Sequence, residues 1–147
     1  MTDYKHILLA VDFSAHSEDI AQQAVLMAQQ NQAQLSLVHV LDNIPMPQVS
    51  YGSVISLHEK ADNDLLEAEK QKLLAMAKYL CIDSGHCWLI WGVPKQEIVQ
   101  LAERTKVDLI VLGSHGRHGL ALLLGSTATG VLHYAQCDVL AVRLQAD

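Results

Sequence analysis

Five short apolar runs, each divided from the next by a stretch of helical period, constrain this chain more than anything else in it. Ile7-Leu8-Leu9-Ala10-Val11 is unbroken, as a strand is when both its faces are covered, and Asp12-Phe13-Ser14 ends it abruptly. Gln34 to Val40 reads as a second strand, Cys87 to Trp91 as a third, Val107 to Leu112 as a fourth and Val139 to Leu144 as a fifth. Between the first two, Ile20, Ala24, Met27 and Ala28 recur at helical spacing, with Ser14 as the expected N-cap, Glu18 and Asp19 at the positive end of the dipole, and a stop near Asn31. Ser56-Leu57-His58-Glu59 fits a capping box, after which Leu66, Leu73, Ala77 and Leu80 mark one face of a long helix that Gly85 stops. Its Glu67, Glu69, Lys70 and Lys72 read as a solvated face. Pro94 suits the first position of a third helix with Ile98, Leu101 and Ala102 on its core side, and Ala128, Val131, Leu132 and Ala135 step through a fourth. Residues 41–55, with Pro45, Pro47 and Gly52, hold neither period and read as a long loop, a connector or a lid.

Strands alternating with helical crossovers imply an α/β fold, a doubly wound parallel sheet with helices on both faces. Ligands of such sheets sit beyond the carboxyl ends of the strands, where the strand order reverses. Asp12 follows the first strand and Gly113 the fourth, so the two face one crevice if those strands are neighbours.

The 147 residues predict one domain, 1–147, and half of them are apolar, which suits a packed globule. Ten Lys and Arg against 16 Asp and Glu leave a formal charge of −6 with no basic run, which argues against nucleic acid. A small polyanion is still compatible, since backbone amides hold phosphate at a helix N-terminus. Cys81, Cys87 and Cys137 have neither paired nor zinc-finger spacing and read as reduced thiols. With no signal-like start and no apolar stretch near ~18 residues, the expected location is the cytoplasm, away from membranes.

Gly113-Ser114-His115-Gly116-Arg117-His118-Gly119, then Leu120 to Leu124, then Gly125-Ser126-Thr127-Ala128-Thr129-Gly130, holds five of the chain's eight glycines directly after the fourth strand. Residues without Cβ let backbone N–H groups turn toward a ligand, as in a phosphate cradle. No Gly-Lys-[Ser/Thr] is present, and Gly113, Gly116 and Gly119 are spaced by threes, which fits neither a P-loop nor a dinucleotide fingerprint. Ser126 or Thr127 serves either as the cap of the last helix or as a phosphate ligand. His115 and His118 lack a third metal ligand nearby, and no nucleophile elbow surrounds Ser126, so no metal site and no catalytic residue is predicted. His39 and His133 read as structural.

Lys5-His6-Ile7-Leu8-Leu9-Ala10-Val11-Asp12-Phe13-Ser14, Leu37-Val38-His39-Val40, Asp108-Leu109-Ile110-Val111-Leu112-Gly113-Ser114-His115-Gly116 and Gly125-Ser126-Thr127 to Cys137-Asp138-Val139-Leu140-Ala141-Val142 resemble the universal stress protein family along the whole chain. The resemblance implies a Rossmann-like fold of the adenine nucleotide alpha hydrolase type, with five parallel strands in the order 3-2-1-4-5. It also implies a homodimer through the last strand, Val139 to Leu144, and a regulatory role in the stress response without enzymatic activity. In the nucleotide-binding branch ATP or AMP, with Mg2+ as the ion of a triphosphate, lies between strands 1 and 4. By position, Asp12 and the backbone of Val40 would face adenine. Gly113 and Gly116 would border ribose and phosphate, Arg117 would add charge, and Gly125, Ser126 and Thr127 would hold phosphates. That branch places nine residues between its second glycine and G-[S/T], whereas eight separate Gly116 from Gly125. One residue fewer in a helix would turn the far end by about 100°. A dimeric interaction module without nucleotide, and a slow ATP hydrolase, are the alternative readings.

Overall fold

The computed structural model describes residues 3–42, 44, 50–114 and 124–143. Along these residues run β1 (His6–Val11), α1 (Ser17–Asn31), β2 (Gln34–Leu41), β3 (Ser53–Ile55), α2 (Asp64–Tyr79), a 3-10 turn (Ser84–His86), β4 (Cys87–Trp91), α3 (Pro94–Arg104), β5 (Leu109–Gly113), α4 (Ser126–Tyr134) and β6 (Asp138–Val142). The strands form one sheet in the order β3-β4-β2-β1-β5-β6. Its parallel part, β4-β2-β1-β5-β6, has the expected five strands in the expected order.

The sixth strand corrects the reading of residues 41–55 as one loop. Gly52, at φ 90, turns the chain back; its N–H donates to the Trp91 carbonyl at 2.7 Å, and Ser53, Val54 and Ile55 pair antiparallel with Trp91, Ile90 and Leu89. Three residues are too few to show a period in the sequence.

Side chains alternate strictly across the sheet. Ile7, Leu9, Val11, Leu37, Leu41, Leu89, Leu109 and Val111 pack with Ile20, Ala21 and Ala24 of α1 and Leu66, Leu73 and Ala77 of α2. Leu8, Ala10, Val38, Val40, Ile90, Ile110 and Leu112 pack with Ile98, Leu101 and Ala102 of α3 and Ala128 and Val131 of α4. Both faces being covered accounts for the continuous apolar runs.

Two expected caps lie elsewhere. Asp12 Oδ1 accepts the Ser14 N–H at 2.9 Å and the Ser14 carbonyl accepts from Ser17, so α1 starts two residues later than expected, behind His16, which makes no side-chain cap. Ser56 Oγ accepts from the N–H groups of His58 and Glu59 in a local turn, while Asn63 caps α2 through Leu66 N–H at 2.8 Å. At the first place the Asp12 carboxylate holds the turn through the Ser14 N–H, and at the second the Ser56 hydroxyl does, so each side chain serves a turn instead of a helix. The charged row of α2 also differs from a plain solvated face. Lys70 is buried, its Nζ donating to the Glu59 carbonyl at 2.9 Å and lying 2.8 Å from Glu67 Oε1, and Glu69 turns toward His39.

Four non-glycine residues among those described have positive φ: Phe13, Gln32, Cys81 and Lys106. The last three end helices in one way, the following N–H reaching back to Ala28, Ala77 and Ala102 respectively, the Schellman closure. Phe13 ends a strand, with no such helix stop to explain it. A bulky residue there costs on the order of 1–3 kcal/mol unless its neighbours hold it.

Candidate crevice at the carboxyl end of the sheet

The chain builds outward from β1 to β2 and β4, then returns to β5 and β6, so the strand order reverses between β1 and β5. Leu9 pairs with Val111, and two residues on stand Val11 and Gly113, which brings Asp12 and Gly113 to the same edge. Val11 pairs with His39, so Val40 flanks Asp12 on the other side. The Val40 side chain is buried against α3 and α4, and what it can offer a ligand is its backbone.

Gly125 joins this group through two main-chain bonds. Its N–H donates to the Ser114 carbonyl at 2.7 Å, and the Ser114 N–H donates to the Val142 carbonyl at 2.9 Å. Gly125 is therefore fixed at the end of β5, and the eight-residue spacing falls in chain whose two ends are held together. Gly116 and Arg117, with His115 and His118, lie outside the described residues.

Gly125 is the N-cap of α4, in place of the expected Ser126 or Thr127, and no side chain caps that end. Ser126 is exposed and Thr127 half-buried. The first turn of α4 has no acidic residue, whereas α1 carries Glu18 and Asp19 there, α2 Asp64 and Glu67, and α3 Glu97. The positive end of the α4 dipole thus faces the crevice uncompensated and suits an anion. No group of three His, Cys, Asp or Glu among the described residues could hold a metal ion.

His39 is the residue at this site whose part the sequence reading understated. It shares the parity of Leu37 and Leu41 in β2 and so points into the α1/α2 face, where it is 5% exposed. Its Nδ1 lies 2.9 Å from the Val11 carbonyl and its ring meets Phe13 edge-on, centroids 4.7 Å apart. The available signal was its parity within an apolar run; the approach of Glu69 from α2 had none.

A groove of about 280 Å³ lies elsewhere, lined by Val99, Ala102, Glu103, Lys106, Ala135 and Cys137, and none of the predicted site residues borders it. Burial pushes the Cys87 thiol up to about 11 and raises the Cys137 thiol too, so neither is poised as a thiolate. No helix among the described residues is long and apolar enough to cross a membrane.

The model of the universal stress protein family matches residues 3–143. Universal stress protein A homolog 1 of Coxiella burnetii is 40% identical over 141 residues, which cover 95% of this chain and 96% of that protein. Among solved structures, hypothetical protein MJ0577 superposes with a TM-score of 0.77 at 28% identity, covering 99% of this chain and all of that one. A universal stress protein in complex with cAMP has a TM-score of 0.69 over 97% of this chain and 98% of that one; at 22% identity the likeness is one of fold.

Proposed function

Because the chain belongs to the universal stress protein family, we propose that it binds an adenine nucleotide, ATP or AMP, in the crevice between β1 and β5 and acts as a cytoplasmic, homodimeric regulator of the stress response rather than as an enzyme. The observation that carries this reading is the convergence of Asp12, the Val40 backbone and Gly113 on the uncapped, acid-free N-terminus of α4. Asp12 and Val40 face the base, Gly113 and Gly116 the ribose and phosphate, and Arg117 adds positive charge. The Gly125, Ser126 and Thr127 end receives the phosphates, each bond to a charged oxygen contributing roughly 1.5–3 kcal/mol. Mg2+ accompanies a triphosphate, with Asp12 the nearest carboxylate of the set.

The dimer reading rests on β6, whose five side chains all stay partly exposed, next to Leu132 at 45% and Tyr134 at 63% exposure. An edge of that kind calls for a cover. The alternative, an interaction module without nucleotide, draws on the eight-residue spacing between Gly116 and Gly125.

Isothermal titration with ATP and AMP tests the proposal. The expected result is saturable heat, weakened about tenfold in Ser126→Ala, the lower end of one charge-assisted bond. Absence of heat beyond dilution with both nucleotides refutes it.

A further inference from the structure

Phe13 stands in the left-handed region, packed against the core of the α1/α2 face with the His39 ring edge-on to its own. A carbonyl only accepts, so the 2.9 Å contact with the Val11 oxygen requires the proton on Nδ1. Nε2 then points at Glu69 Oε2, 3.5 Å away, with the two side chains 6% and 17% exposed. A neutral imidazole in this tautomer turns a lone pair toward a carboxylate, two acceptors facing one another. A proton between them, on either partner, makes the contact attractive. Among the described residues, Lys72 of α2 also approaches the pair, its Nζ 3.6 Å from the same Glu69 oxygen, and Asp12 stands in the turn at the end of β1.

Resting on the nucleotide reading above, we propose that His39 and Glu69 form a proton-dependent clamp that sets the Asp12-Phe13 turn, and that nucleotide affinity falls as the shared proton leaves. His39 is a positioning residue: it reaches the ligand through Val11 and Phe13, which flank Asp12. Glu69 carries the coupling to α2. When the pair loses its proton the ring withdraws from Glu69, and Phe13 and the Asp12 side chain lose their support together.

The test is the pH dependence of AMP affinity, by titration calorimetry between about pH 5.5 and 8.5, in the wild type, Glu69→Gln and His39→Phe. The Gln amide donates to a neutral Nε2, so Glu69→Gln should bind AMP at all pH values and lack the steeper weakening of the wild type, about tenfold across the range. The titration of the nucleotide's own phosphate is common to all three and cancels. His39→Phe, which keeps a ring against Phe13 but neither bonds Val11 nor takes a proton, should bind more weakly with the profile of Glu69→Gln. By linkage, AMP should move the His39 titration, followed by NMR, to higher pH. Identical profiles for wild type and Glu69→Gln overturn the clamp. If AMP binds none of them, the nucleotide reading fails, and the clamp is judged on the amide exchange of Phe13 and Ser14 in the free protein. Protection lost through the His39 titration in the wild type and kept in Glu69→Gln supports it; equal behaviour overturns it.

Discussion

On the face covered by α1 and α2 the protein buries Lys70 and gives its ammonium two oxygens; on the face covered by α3 and α4 it buries Glu97 and leaves Oε1 without a hydrogen-bond partner among the described residues. The contrast extends to the two glutamates. Glu67 accepts from the Ala61 N–H, then from Gln71 and Lys70, and its carboxyl is held down to about 2. Glu97 is raised by burial, which outweighs the opposing charge of Arg104 on the same helix. The same side chain titrates in opposite directions because one face brings donors to it and the other brings glycine and apolar atoms. The second face is also the tighter one. A Cβ on Gly92 would stand 2.8 Å from Glu97 Oε2, and one on Gly130 would stand 2.8 Å from Lys95 Cβ, so α4 lies close against the Lys95 side chain of α3 where Gly130 has none.

The strongest way to break this comparison is to add volume to the tight face. Gly130→Ala should destabilise the protein by about 1–3 kcal/mol, since a Lys95 methylene next to its backbone must move; an unchanged midpoint in urea unfolding would mean the helices have slack. A smaller effect should come from Glu97→Gln. A carboxyl raised in the folded state contributes stability that is complete below its unfolded value, about 4.3, and lost as pH rises through the folded value. The variant should therefore be more stable than the wild type at pH 7, and the gap should close near pH 4; a variant weaker at pH 7 would show that Glu97 finds a partner. The smallest effect should be that of Glu67→Gln, with the sign reversed. Stability from a lowered carboxyl is present above about 4.3 and lost as pH falls toward about 2, so this variant should be weaker at pH 7 and equal to the wild type in strong acid. Parallel curves for the two glutamine variants would dissolve the distinction between the faces.

Much of this was legible in the chain, for physical reasons that differ by element. Strands sandwiched between helices are apolar on both sides, so β1 and β5 announced themselves as runs, and Pro94 marked the first position of α3. The order of the strands carries no local signal and came from the family resemblance. Ser56 misled because a hydroxyl that can cap a helix can also close a turn, leaving the cap to Asn63, and Ser14 misled because the Asp12 carboxylate takes its N–H into a turn ahead of the helix. At the crevice, Asp12 and Gly125 were readable as the residues after a strand and before a helix. His39 was readable as interior, but its partner Glu69 lies thirty positions away on α2, and no pattern within either element joins them.

The bond between Gly125 and Ser114 bears on how such a chain can change over generations. Ser114 and Gly125 are joined directly by a main-chain bond, so the number of residues between them in the sequence bears little on how β5 and α4 meet. Gaining or losing one residue there alters the closure free energy by about 0.1 kcal/mol. A lineage can therefore drift in length at this point while β5 and α4 keep their register, and the difference between eight and nine residues is the kind of insertion or deletion that selection on stability would scarcely register.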